Sequence, residues 1–227
     1  MATATLRREG DIHILTMTNG NNGNVMNPES LADLNALLDE IENYDGNTAV
    51  VLTSDHAKHW CNGIDLALLK EKGIATVKQE FVPDMDKMLL RLAMLNAPVI
   101  ANISGNCYAG GALLACAADF RAMRSDYGRF CFAEIDVPIV FSQPMQGLLN
   151  CLHNRQAVDD LILTGKAITG EVAAQTQVAD FSGDAEASLA WCMELAATLA
   201  KKDRATYTGI KRDRRALLHP AFAALNN

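Results

Sequence analysis

Apolar and polar residues alternate over residues 12–18, the period of a half-buried strand, and residues 3–8 offer a hairpin partner. The Asn- and Gly-rich run 19–27 breaks this pattern and predicts a loop. The loop ends on Asn27, a good helix cap, followed by Pro28, whose fixed φ suits a first helical position. Leu31, Leu34, Leu37, Leu38 and Ile41 then recur at the helical period. Residues 49–53 read as a short buried strand, 54–63 as a polar loop, and 65–72 as a helix.

A second long helix is expected over residues 81–95, ending before Pro98. A strand follows at 98–103, then a turn at 104–111 and an apolar helix at 112–118. Residues 120–123 and 129–132 read as strands. From residue 145 onward helical patterns dominate, with one short strand near 178–181. The rhythm of strand, loop and helix repeats without a Pro- or Ser-rich linker. It predicts one α/β domain with a core over residues 1–181 and a helical C-terminal region over 182–227.

Composition narrows the class. Of 227 residues, 49% are hydrophobic and 21% charged, the balance of a soluble globular protein. A net charge of -7 argues against general binding of nucleic acid, whose phosphates need a basic face. Six cysteines without a CxxC pair suit reduced thiols rather than a disulfide framework. The N-terminus shows no apolar signal core, and no apolar run reaches the length of a membrane span. A cytoplasmic protein with no membrane partner is therefore expected.

Three stretches carry candidate chemistry. Residues 102–114 run from a buried strand through a turn into an apolar helix opened by Gly110 and Gly111. Paired glycines there permit either close helix–strand packing or close approach of a ligand to free amides at a helix start. In residues 60–66, Gly63 also precedes a helix, and Asp65 suits its N-cap. Two such loops can supply two N–H donors converging on one oxyanion. In residues 130–139, Glu134 is flanked by apolar residues, as an exposed strand residue or as a desolvated acid with a raised pKa. His56, His59 and Cys61 have metal-like spacing but no fourth ligand, so no metal is expected. Lys211, Arg212, Arg214 and Arg215 form a basic cluster on a helix, as a solvated face or as a contact for phosphates.

Taken together and in this order, the three stretches resemble the crotonase superfamily, also called the enoyl-CoA hydratase/isomerase family. The segment 161–173, where one helix ends and another begins, adds to the likeness. The resemblance implies a crotonase (ClpP/crotonase-like) fold of repeated ββα units, assembled as a homotrimer or a dimer of trimers. It implies an acyl-CoA thioester as substrate, with coenzyme A belonging to the substrate and no separate cofactor. It also implies an oxyanion hole formed by the amides of Ile64 and Gly110, with Asn62, Gly63 and Asp65 on the CoA side. Hydratases of the family use two glutamates. Here the second corresponds to Glu134, while the position of the first holds Leu113. The sequence thus most resembles the delta-3,delta-2-enoyl-CoA isomerases, in which one acid shuttles a proton. Other thioester reactions and non-catalytic acyl-CoA binding are the alternatives.

Overall fold

Valine, leucine and isoleucine crowd the short strands because those strands are covered on both faces, which a parallel sheet requires. In the computed structural model, which describes residues 2–137 and 139–220, six strands form the main sheet in the order β1-β2-β3-β5-β7-β9. β1 (Ala4–Glu9) and β2 (Ile12–Met17) make the expected antiparallel hairpin. β3 (Ala49–Ser54), β5 (Val99–Ile103), β7 (Phe120–Arg124) and β9 (Phe181–Gly183) then add in parallel. Residues 49–52 of β3 are all fully buried. A second, parallel sheet holds three short strands, β4 (His59–Cys61), β6 (Asn106–Tyr108) and β8 (Phe130–Cys131), in the order β4-β6-β8.

Each repeat therefore sends one strand to each sheet before its helix begins, and this is the repeated ββα architecture expected. The helices that follow are α2 (Leu66–Lys72), α5 (Gly110–Ala117) and α6 (Gln143–Leu149). α1 (Pro28–Glu42) starts as anticipated at Asn27. Asn27 Oδ1 accepts the Ser30 N–H at 3.0 Å, and Ser30 Oγ accepts the Asn27 N–H at 2.9 Å. α3 (Ile74–Glu80) and α4 (Val82–Ala93) stand between α2 and β5. α3 and the strands β4 and β6 were not anticipated. Three residues are too few to display a period of two, so residues 54–63 and 104–111 read as loop and turn.

The further helices are α7 (Arg155–Thr164), α8 (Gly170–Gln175), α9 (Ala185–Leu199) and α10 (Arg204–Arg214). α9 covers the outer face of the main sheet: Cys192, Ala196 and Ala200 pack on Ile14, Val51, Ile100 and Ala122. The division expected after residue 181 falls inside β9, and residues 221–227 of the expected helical region lie outside the described residues. Among the described residues, no helix is long and apolar enough to cross a membrane.

The basic cluster of α10 is neither a solvated face nor a contact for phosphates as a whole, because two of its members are turned inward. The Lys211 side chain is 3% exposed, and its Nζ donates to Ala97 O at 3.0 Å and Asp119 Oδ2 at 2.9 Å. The Arg215 guanidinium donates to Ala117 O and Ala118 O, each at 2.9 Å, and pairs with Asp119 Oδ1 at 3.1 Å. Arg215 thus holds the carbonyls at the end of α5, where a cationic group complements the helix dipole, while Lys211 holds the carbonyl of Ala97 ahead of β5. Asp119 also accepts the Val99 N–H at 2.8 Å, so one carboxylate ties α10, α5 and β5 together. Arg212 and Arg214 remain exposed. Removing Asp119 leaves two buried cations without their counter-charge. Asp119→Ala is expected to lower the unfolding free energy by ~3–5 kcal/mol, measured by urea denaturation.

Candidate active site

The three strands of the small sheet end side by side, and the site is built where they end. At the end of β4 the chain turns at Gly63, with φ 78°. Asn24 fixes this strand from outside, its Nδ2 donating to Trp60 O at 3.1 Å and Ser54 Oγ at 2.8 Å. Ile64 then forms a parallel bridge with Met26. The Met26 N–H donates to Gly63 O at 2.7 Å, and the Asp65 N–H donates to Met26 O at 2.9 Å. In that pattern the Ile64 amide points away from Met26. At the end of β6, Ala109 adopts φ 49°, a left-handed conformation that costs an alanine on the order of 1–3 kcal/mol. α5 starts at the next residue, so the Gly110 amide is among the first N–H groups of a helix and has no intrahelical acceptor. Among the described residues, neither the Ile64 nor the Gly110 amide donates to a protein acceptor.

The two loops touch through their glycines. A Cβ added to Gly63 would lie 2.7 Å from Gly110 N, and one added to Gly111 would lie 2.1 Å from Cys61 O. The glycines therefore let helix and strand pack closely, and the packing brings Ile64 and Gly110 together. Ile64, Gly110 and Glu134 line the same cavity of about 350 Å³, within the usual range for small-molecule sites.

Glu134 lies in a turn after β8, not on an exposed strand. It is 5% exposed, and its Oε2 has no hydrogen-bond partner among the described residues. Burial pushes its pKa up to about 7, against a smaller downward pull from its own backbone N–H. An acid of that pKa can take and return a proton near neutral pH. The turn is closed by the Asp136 N–H donating to Ala133 O at 3.1 Å and the Ile139 N–H donating to Glu134 O at 3.0 Å. Ile135 beside it is 51% exposed, so the apolar flanks did not by themselves bury the acid. Tertiary packing did.

Of the other residues singled out, Asn62 lines the cavity, and its Nδ2 lies 3.0 Å from His59 Nδ1. Asp65 does not line it. Its Oδ1 accepts the Ala67 N–H at 2.8 Å and caps α2. Leu113 lines the cavity, one helical turn into α5 from Gly110, with no acid there. From segments 81–95 and 141–152, Met85 and Met145 line the cavity. Asn106 and Tyr108 also line the cavity and were missed. They are alternate residues of β6, so both face one side while Cys107 is buried behind them, a signal hidden because the strand reads as a turn. Cys61 is fully buried with its thiol pushed up to about 12, and no cluster of three metal-ligating residues occurs among the described residues. A larger cavity of about 660 Å³ lies at the far end of α6, but the Lys211 and Arg215 cations on its wall are already held by Asp119.

Comparison with known proteins bears on the family and the fold. The family described as enoyl-CoA hydratase/isomerase matches residues 7–223. The chain is 28% identical over 203 residues to enoyl-CoA delta isomerase 3 of Arabidopsis thaliana, covering 87% of this chain and 85% of that protein. It is 30% identical over 135 residues to a short-chain-enoyl-CoA hydratase of Clostridium acetobutylicum, covering 59% of this chain and 51% of that one. Among solved structures, an enoyl-CoA isomerase of Mycobacterium tuberculosis superposes with a TM-score of 0.86 at 21% identity, covering 98% and 95% of the two chains. An enoyl-CoA hydratase of Bacillus anthracis superposes with a TM-score of 0.82 at 21% identity, covering 92% and 81%. These superpositions establish the crotonase fold.

A carboxylate buried without a partner disfavours the folded state once it ionises. The folded pKa of Glu134 lies above its unfolded value of 4.5, so folding stability falls as pH rises from about 4.5 through about 7. Glu134→Gln is expected to unfold at a higher temperature than the wild type at pH 8. The gain, on the order of 3 kcal/mol at most, should vanish below pH 4.5 in calorimetric scans across pH.

Proposed function

The chain belongs to the enoyl-CoA hydratase/isomerase family, and from that premise we propose that it moves the double bond of a 3-enoyl-CoA to the 2-position with Glu134 as the sole proton carrier. The observation that carries this reading is the pairing of one buried, unpartnered carboxylate with an apolar residue, Leu113, on the wall of the same cavity. Water addition across a double bond calls for one group to activate water and another to manage the proton. A shift of the double bond calls for only one.

In the proposed reaction the thioester oxygen lies against the Ile64 and Gly110 amides, with the carbon chain in the cavity. The Glu134 carboxylate removes a proton from carbon 2. The C–H electron pair forms a dienolate whose negative oxygen is held by the two N–H groups. Such preorganised donors are worth roughly 3–4 kcal/mol each to a developing oxyanion. The same carboxyl group then returns the proton to carbon 4, and the dienolate collapses to the conjugated 2-enoyl-CoA. No atom is gained or lost, and Glu134 ends ionised, as it began. The apolar lining from Leu66, Leu69, Met85 and Met145 suits an acyl chain and keeps water from competing for the dienolate. The names of the Arabidopsis relatives, delta isomerases, support the same reading. Assembly as a homotrimer or a dimer of trimers belongs to this proposal, and sedimentation measurements test it.

Purified protein supplied with 3-enoyl-CoAs of graded chain length should produce conjugated 2-enoyl-CoA. Supplied with 2-enoyl-CoA, it should yield little or no 3-hydroxyacyl-CoA. Glu134→Gln is expected to lower kcat by at least ~10²-fold while acyl-CoA still binds. Wild-type kcat/KM should rise with pH to a half-maximal value near pH 7 as Glu134 ionises. Retained turnover in Glu134→Gln, or efficient hydration by the wild type, would overturn the reading. Binding without any turnover would indicate a non-catalytic protein.

A further inference from the structure

The cavity wall changes character in a fixed order from β6 into α5. Asn106 and Tyr108 come first, then the Gly110 amide, then Leu113 one helical turn further on, and all four residues line the cavity. The other loop repeats the order, with Asn62, the Ile64 amide, and then Leu66 and Leu69 of α2. On each loop a polar stretch precedes the amide and an apolar stretch follows it. Met85 of α4 and Met145 of α6, helices that pack against α5, join Leu113 on the lining.

Asn106 is fixed with its donor free. The Arg129 N–H donates to Asn106 Oδ1 at 3.1 Å. A backbone amide can only donate, so the side-chain oxygen faces Arg129 and Nδ2 is the atom left over. Among the described residues, neither Asn106 Nδ2 nor the Tyr108 hydroxyl has a hydrogen-bond partner. Both side chains stand on one face of β6, with Cys107 buried behind them. Asn62 differs, since its Nδ2 lies 3.0 Å from His59 Nδ1. Among the described residues no lysine or arginine lines the cavity, so the polar stretches before the two amides consist of neutral groups. Neutral donors suit neutral amides, whereas phosphates call for cations.

We propose that Asn106 and Tyr108 are specificity-determining residues that hydrogen-bond the pantetheine arm of the thioester, Tyr108 at the amide nearer the sulfur and Asn106 at the farther one. The proposal rests on the reading of this cavity as an acyl-CoA site. The order of groups in the substrate matches the order along the wall: an amide, a second amide, the thioester carbonyl, the acyl chain. With the carbonyl at the Ile64 and Gly110 amides and the acyl chain beside Leu113, the arm runs back along β6. Alternate strand residues stand roughly 7 Å apart. That spacing is comparable with the arm, in which one two-carbon spacer separates sulfur from the first amide and another separates the two amides. A tyrosine hydroxyl can donate to an amide oxygen or accept from an amide N–H, and Asn106 Nδ2 can donate to an amide oxygen.

The test varies the thioester together with the protein. A 3-enoyl-CoA carries both amides and the nucleotide, the pantetheine thioester carries both amides alone, and the N-acetylcysteamine thioester carries only the amide nearer the sulfur. Tyr108→Phe should raise KM on the order of threefold to tenfold with all of them and leave kcat little changed, as expected for one neutral hydrogen bond made equally in ground and transition states. Asn106→Asp keeps an acceptor for the Arg129 amide and removes the donor. It should raise KM by a similar factor with the CoA and pantetheine thioesters and have no effect with the N-acetylcysteamine thioester. Asn106→Ala, which gives up the Arg129 contact as well, should show the same dependence on the thioester. An Asn106→Asp effect that persists with N-acetylcysteamine, or wild-type KM for either variant with the CoA thioester, would overturn the proposal. A uniform loss of kcat with every thioester, as a merely structural role would give, would overturn it too. Calorimetric binding of the saturated thioesters reads the same contacts without turnover. Those affinities decide the proposal even where Glu134→Gln retains activity and the base must be reassigned.

Discussion

The contact on which the site depends is the approach of two backbones, Gly63 against Gly110. There is no room for a β-carbon at Gly63, whose added atom would meet Gly110 N at 2.7 Å. Because neither strand end carries a side chain at that point, β4 and β6 can finish against each other, and the loops that follow them open onto one cavity. A peptide N–H has a fixed direction once its backbone is fixed. Positioning two of them therefore asks for rigid packing rather than for any particular side chain. The left-handed conformation of Ala109 fits this picture, since strain of that kind persists only where the surrounding structure over-determines it.

Around this contact the fold treats its buried charges in two ways. At the C-terminal end, Lys211 and Arg215 pair with Asp119, and Arg215 also closes the last carbonyls of α5, so the charges serve architecture. Glu134 on the cavity wall and Asp86 on α4 are instead buried without a counter-charge, and burial pushes both up toward neutral pH. Acids buried without a counter-charge reduce stability once they ionise.

α6 belongs to both regions. Its N-terminal turn, capped by Ser142, presents Met145 to the cavity that Glu134 lines. Its C-terminal end packs near Leu218, which a Cβ on Gly147 would approach at 2.6 Å. The helix thereby links the wall beside Glu134 to the C-terminal segment that follows α10, so the C-terminal helices support the cavity as well as cover the sheet.

Much of this was legible along the chain. The hairpin, the Asn27 cap, the apolar strands and the order of the glycine-bearing loops before Glu134 all express local preferences, namely side-chain period, capping and backbone freedom, which a residue carries wherever it sits. Leu113 in place of an acid was equally plain. What remained hidden were β4, β6 and α3, the partners of Lys211 and Arg215, and the burial of Glu134 and Asp86. The three-residue strands exist only because a neighbouring strand accepts their hydrogen bonds. The basic cluster looked like a surface because nothing in its own helix announces Asp119, more than ninety residues away. The amino-acid sequence determined which residues could bend, cap and carry a proton. Tertiary packing alone decided which of them lost water, and the loss of water is what raises a buried carboxylate such as Glu134 toward neutral pH.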